Sequence, residues 1–307
     1  MISLYFGYYL ILKYNNKMPT VTYKDFDLSK LTFTPPTENK LIPKITEFQL
    51  MSMPAYAEGD GKSSMPTIQG PWMKLDNYGI PSKLDKTGKP RLNRANQPLS
   101  DKERGNLKIP FNLEDPKSKA LYDLLCSIDD KAEAEKEQLF GDKKKASFYK
   151  YQPIVRQPPV NPDAADDAEA KPDYFVIKFD FDVKTGSMKS EVFENDDGER
   201  TQMSVTTLDD AQKYVRYMCE FRPVFKLAKL FSSKSAQDGK RSYGIGLKLV
   251  KIEVKPSAKQ VETETQFIDD SDDEVERKTL VAETTKTVDD TSKKTPAKTK
   301  GGKNTTV

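Results

Sequence analysis

Phe175, Ile177, Phe179, Phe181 and Val183 alternate with Val176, Lys178, Asp180 and Asp182, a period of two that fits a half-buried β-strand and no helix. Tyr243, Ile245, Leu247 and Leu249 repeat the pattern, with Gly244, Gly246 and Lys248 on the other side. Phe221, Phe225 and Leu227 alternate with Arg222, Val224 and Lys226, although Val224, Leu227, Ala228 and Phe231 would also fit a helical stripe; strand is preferred. Thr185-Gly186 and Asn195-Asp196-Asp197-Gly198 supply turns, the first leading to a strand that ends near Phe193 and the second to Met203 and Val205. Fainter strand character runs from Ile42 to Met53 and through Trp72, Met73 and Leu75, on either side of a Gly, Ser and Pro loop from Glu58 to Pro71.

Helices are few. Asp115 followed by Pro116 reads as an N-cap with proline at the first helical position; Leu121, Leu124, Leu125 and Ile128 share one face, and Gly141 marks the end. Thr207 with Asp210 three residues on caps a shorter helix. Residues 82–106 hold neither period and read as a long loop, and 153–172 as a mobile insertion too polar to offset its ordering entropy. The expected fold is mainly β. One folded domain occupies about residues 40–255, with a poorly ordered extension over 1–39 and a disordered tail over 256–307.

Charge is segregated along the chain, although the net of +3 over 307 residues is nearly balanced. Lys213, Arg216, Arg222, Lys226, Lys229, Lys240, Arg241 and Lys248 are interleaved with Tyr214, Tyr217, Phe231 and Tyr243. Cations release phosphate counterions and each ring can stack a base for about 1–3 kcal/mol, so the block suits single-stranded nucleic acid. Trp72 beside Lys74, and Tyr78, are the stacking candidates of the N-terminal half. The bland alternative is a sheet whose rings form the core while its lysines meet water. Glu262, Glu264, Asp269, Asp270, Asp272, Asp273, Glu274 and Glu276 then surround Phe267 with no intervening cation, an acidic run that mimics a polyanion and invites a regulatory or partner-binding role.

Histidine is absent, which removes imidazole-based nucleophile pairs and zinc sites. Cys126 and Cys219 lack metal or redox spacing and read as buried thiols of a reducing, intracellular compartment. Gly59-Asp60-Gly61-Lys62-Ser63 has Tyr56 where a P-loop needs glycine, Gly244-Ile245-Gly246 lacks the third glycine of a dinucleotide site, and Asp180 with Asp182 lacks a third metal-binding carboxylate. No catalysis, cofactor or metal is expected. Ile2 to Leu12 is too short to span a bilayer and lacks a basic flank, so residues 1–17 read as a leader ahead of Met18 and no membrane association is expected.

Pro172-Asp173-Tyr174-Phe175-Val176-Ile177-Lys178-Phe179, Phe221-Arg222-Pro223-Val224, Lys229-Leu230 and Tyr243-Gly244-Ile245-Gly246-Leu247-Lys248-Leu249 resemble the single-stranded DNA-binding proteins of nucleo-cytoplasmic large DNA viruses, which look like relatives of the OB-fold phage replication protein with an acidic tail. The resemblance covers about residues 40–255 and is best in the last third. It implies an OB-fold Greek-key barrel that binds single strands without reading sequence during replication, recombination or repair in an infected host cell. It also implies an acidic tail that competes for the groove or recruits a viral DNA polymerase or other replication proteins; homodimerisation stays open. Here the acidic run is followed by a basic tail rather than ending the chain. The competing expectation is a structural or virion-associated protein-interaction module.

Overall fold

The computed structural model describes residues 20–38, 48–57, 61–85, 87–93, 95–158 and 170–256. All belong to the first of two compact units, Met1–Ala258; the second is Lys259–Val307. The leader expected over 1–17 and the acidic run with Phe267, Asp269, Asp270, Asp272, Asp273 and Glu274 lie outside the described residues.

The fold is mainly β, and it is organised by one hairpin. Strands β1 to β15 are Thr20–Thr22, Leu31–Phe33, Thr37–Glu38, Phe48–Ser52, Pro54–Ala57, Ser63–Ser64, Thr67–Gln69, Met73–Lys74, Asn106–Pro110, Tyr149–Gln152, Tyr174–Phe179, Glu191–Asp196, Glu199–Gln202, Glu220–Gln237 and Lys240–Val254. The helices α1 to α5 are Asp101–Arg104, Pro116–Ala134, Lys136–Phe140, Lys143–Ala146 and Leu208–Tyr214. β14 and β15 form the long antiparallel hairpin, closed by Asp238 and Gly239 with φ of 50° and 73°, both left-handed as a two-residue turn of this twist requires.

Each arm of the hairpin carries three short strands along its outer edge. β10, β11 and β12 run parallel to β15 opposite residues 241–244, 247–249 and 251–254, while β4, β7 and β8 run antiparallel to β14. β9 pairs with β11, β13 with β12, β1 with β7 and β3 with β4. The main path through this sheet ends at β1 and β9, and the sheet is not closed into a barrel. A second, three-stranded sheet is ordered β2, β5, β6.

One face of the hairpin is the core. Phe221, Phe225, Leu227, Leu230, Tyr243, Leu247 and Leu249 are buried there together with Leu121, Leu125, Ile128 and Ala132, the apolar stripe of α2. Each large side chain among them contributes about 2 kcal/mol by leaving water. The start expected for α2 is realised, with Asp115 accepting from the amides of Lys117 and Ser118; its end is not, since α2 stops at Ala134 and Gly141, with φ of 96°, closes the separate helix α3. Thr207 and Asp210 form a capping box at α5.

Four segments differ from expectation. Residues 20–38, expected in a poorly ordered extension, contribute β1, β2 and β3; Leu31 and Phe33 are buried, so this segment seals part of the core. The loop expected over 58–71 contains β6 and β7, and β7 bonds both β1 and β14 through only three residues, too few to show a period. The loop expected over 82–106 is interrupted by α1 and by the first residue of β9, while its described residues before α1 are turns and isolated bridges. The start of the expected insertion is pinned: the buried Asp129 carboxylate accepts from the Tyr151 hydroxyl at 2.7 Å and from the amides of Ile154 at 2.9 Å and Val155 at 3.2 Å. Residues 159–169 of that insertion lie outside the described residues.

Asp129→Ala would leave those three donors without their acceptor, each buried donor costing about 1–3 kcal/mol. We expect a loss of about 3 kcal/mol in urea unfolding, and a smaller loss for Asp129→Asn, which keeps one acceptor oxygen.

Candidate nucleic-acid interface

The opposite face of the hairpin carries lysines where a sheet ordinarily avoids them. Lys178 on β11 is in register with Lys248 on β15, and Lys248 with Lys226 on β14, so three lysines lie in one row across three adjacent strands. Neighbouring strands are about 4.8 Å apart, and like charges directly opposite one another destabilise a sheet. Lys229 stands one step along β14, opposite Gly246.

Asp180 bridges two members of the row, at 2.7 Å from the Lys248 ammonium and 3.6 Å from that of Lys226. It does not neutralise the cluster. Lys178 is itself exposed at the sheet surface, so water screens it in part; its pKa is held below the usual lysine value by partial desolvation among its neighbours first and then by repulsion from Arg156 and Lys248. The pKa of Lys229 is lowered in the same way, by burial first and then by Lys248 and Lys178.

Rings flank these cations. Phe231 is half-buried on this face, and its ring carbons lie 3.6 Å from where a Cβ on Gly244 would stand and 4.0 Å from one on Gly246. The two glycines therefore do not leave bare backbone for a ligand: Phe231 lies beside both, and the carbonyl of Gln152 would be 2.7 Å from a Gly244 side chain. On the β9–β11 side, Tyr78 donates to the Pro172 carbonyl at 2.9 Å and its ring meets Tyr174 at 4.7 Å, with the Lys108 ammonium 5.3 Å from the Tyr174 ring.

Of the residues singled out from sequence, the register assembles Lys226, Lys229 and Lys248, and adds Lys178. Arg222 is held by Glu253, which also accepts from Arg200 and Asn195; the cost of burying Glu253 is outweighed by these bonds, and its pKa falls. The Arg222 guanidinium also stacks 4.9 Å from the Trp72 ring centroid, with the Lys255 ammonium at 5.4 Å, so Trp72 is occupied by the protein's own cations. Lys74 is exposed at the β8 end of β14, opposite Glu220. Arg216 is exposed in the loop after α5, and Lys240 and Arg241 sit at the far tip of the hairpin.

Tyr243 is a correction. It is 0% exposed, packed against Phe140 at 4.9 Å and Tyr151 at 5.0 Å, and burial raises its phenol pKa. It shares a face with Leu247 and Leu249 and cannot stack a base. Lys178 was missed although its place in the alternation was plain, because nothing local in the sequence reveals which strand lies beside β11.

Asp180 and Asp182 do not converge: Asp182 binds Lys189 at 2.8 Å and the turn amides of Lys184 and Thr185. Among the described residues no three acidic or cysteine side chains are grouped to hold a metal ion, and no helix is long and apolar enough to cross a membrane. Cys126 and Cys219 are free, half-buried thiols, each with its pKa pushed up chiefly by burial.

A scan against protein-family models gives no match, and a search of curated proteins finds no significant relative.

A lysine whose folded pKa lies below its unfolded value makes the charged form a cost to folding at neutral pH, relieved only as pH rises through the folded pKa. Lys178→Gln removes that cost, which solvent screening keeps small at an exposed position, so its melting temperature should slightly exceed the wild type at pH 7, and the part of the gap due to Arg156 and Lys248 should shrink as salt is added. A lower melting temperature would mean that Lys178 is not under repulsion.

Proposed function

We propose that the chain is a sequence-independent single-stranded DNA-binding protein, built on an open relative of the OB fold, that coats exposed strands during replication, recombination or repair of viral DNA. The lysine row is the observation that supports this reading. A cluster of like charges that costs folding energy when empty gains twice on meeting a polyanion, once from each new ion pair and once from relieved repulsion. Phe231 carries ring surface beside it, and Tyr174, packed on Tyr78 with Lys108 over its ring, lies four residues along β11 from Lys178; stacking tolerates any base. The sequence resemblance supplies the viral setting and the preference for DNA.

Oligothymidine titrations across a salt series test the assignment. The double variant Lys178→Ala with Lys248→Ala should lower the salt slope by about 1.4, at about 0.7 for each phosphate no longer neutralised, and weaken binding equally for all sequences. A wild-type slope would remove the row from the groove.

The acidic run after the folded unit carries the charge of a phosphate backbone and, on this reading, competes with DNA for the cationic face. Deleting residues 261–307 should tighten oligothymidine binding at low salt, with the advantage fading at high salt. Unchanged or weaker binding at low salt would exclude the run as a competitor.

A further inference from the structure

Residues 83–98 hold an eight-residue unit twice. Lys83-Leu84-Asp85 through Thr87-Gly88-Lys89-Pro90 is matched by Arg91-Leu92-Asn93 through Ala95-Asn96-Gln97-Pro98, and Lys86 and Arg94, at the remaining position, lie outside the described residues. The two units close alike. Asp85 accepts from the amides of Thr87 and Lys89 as Asn93 does from those of Ala95 and Gln97, and the next residues with left-handed backbone are Gly88 at φ 80° and Asn96 at φ 57°. Each unit is shut by a bridge, Leu84 to Pro90 and Leu92 to Pro98, and the units are joined in series by Arg91 N–H to Lys83 O and Leu99 N–H to Arg91 O.

The arm is surface-exposed but firmly rooted. Arg104 has a fully buried side chain, and its guanidinium donates to the Pro81 carbonyl at 3.2 Å, to Asp101 and Asp209 at 3.3 and 3.1 Å, and to Gln212 at 2.9 Å. Lys83 pairs with Asp209 at the same root. A buried arginine, bonded through all three of its guanidinium nitrogens and holding a polar surface loop, spends ordering entropy in advance of contact, as a preorganised binding element does. Leu84 and Leu92, at equivalent positions, stay 47% and 53% exposed.

We propose that this tandem-turn arm is a second contact for the sugar-phosphate backbone, lengthening the single-strand track that begins at the lysine row. Two like units in fixed succession match a ligand that itself repeats, and the sequence of the arm is basic apart from Asp85, whose charge is used within its own turn. The arm also leaves the sheet at the right place: it leads through α1 into β9, where Asn106 is in register with Lys178, the end member of the row. The inference rests on the single-strand reading of that row.

Two variants test it. Deleting 84–91 removes one unit and joins Lys83 to Leu92, the same type of junction as Arg91 to Leu92, so the remaining turn keeps its closure; Lys89→Glu alters one exposed cation without touching the root. Melting curves of both should match the wild type. With oligothymidines from about 4 to about 16 nucleotides, the wild type should gain affinity with length, whereas the deletion loses about tenfold on the longest strand, little on the shortest, and lowers the salt slope by about one to two. Lys89→Glu should show the same pattern more weakly. Wild-type length dependence in both variants, while the Lys178 and Lys248 double variant loses binding, overturns the arm and leaves the row standing. Loss of binding to phosphatidylserine vesicles in place of oligothymidine would assign the arm to a membrane and overturn it too. Failure of the wild type to bind any oligothymidine overturns both.

Discussion

The register of one hairpin governs this molecule. β14 and β15 are the only strands among those described that run the length of the main sheet, and six short strands are aligned on their outer edges. Pairing fixes both faces together. The register that puts Phe225 opposite Leu249 and Leu227 opposite Leu247, in the core under α2, places Lys226 opposite Lys248 on the other side. A one-residue slip would expose the aromatic core, so the repulsion among lysines is tolerated because the apolar face, at about 2 kcal/mol for each large side chain, outweighs it.

The two ends of the outer face differ for an electrostatic reason. Towards Arg222, cations are answered from within: Glu253 takes Arg222, Arg200 and Asn195, Trp72 carries Arg222 and Lys255, and Lys255 pairs with Glu220. Towards Lys178, Asp180 spans Lys226 and Lys248, while partial desolvation first, and neighbouring cations after it, lower the pKa values of Lys178 and Lys229. A partner of opposite charge gains most at the second end, which also borders the root of the tandem turns. The same logic makes Asp180 a competitor for that partner, since its carboxylate occupies the ammonium groups a phosphate would use.

Much of the frame was legible in the sequence. The alternations at Phe175–Phe179 and Tyr243–Leu249, the Asp115-Pro116 start of α2 and the Thr207 box were all local signals, each set by a handful of neighbours. What was hidden depends on distant pairing. The ambiguity around Val224 to Phe231 arose because β14 shifts register between Val224 and Phe225 and again between Leu227 and Lys229, resetting its parity so that buried positions mimic a helical stripe. β7 is three residues between Pro66 and Gly70, and its existence is owed to β14. The eight-residue unit at 83–98 stayed hidden among periods of two and 3.6, because turns carry neither. For the site, sequence supplied the cations but not their grouping: Arg222 and Trp72 were claimed by Glu253 and Lys255, which lie far along the chain, and Lys178 joined the row only through the β11–β15 register.

The central claim is that an anion settles among lysines whose protonation is already strained. It is tested most directly by calorimetric titration with oligothymidine at about pH 9, just below the ordinary lysine range, in two buffers of different ionisation enthalpy. Binding phosphate raises the pKa of Lys178 and Lys229, so the account predicts net proton uptake on binding. Binding with no proton exchange, or with proton release, would place the nucleic acid elsewhere and contradict it.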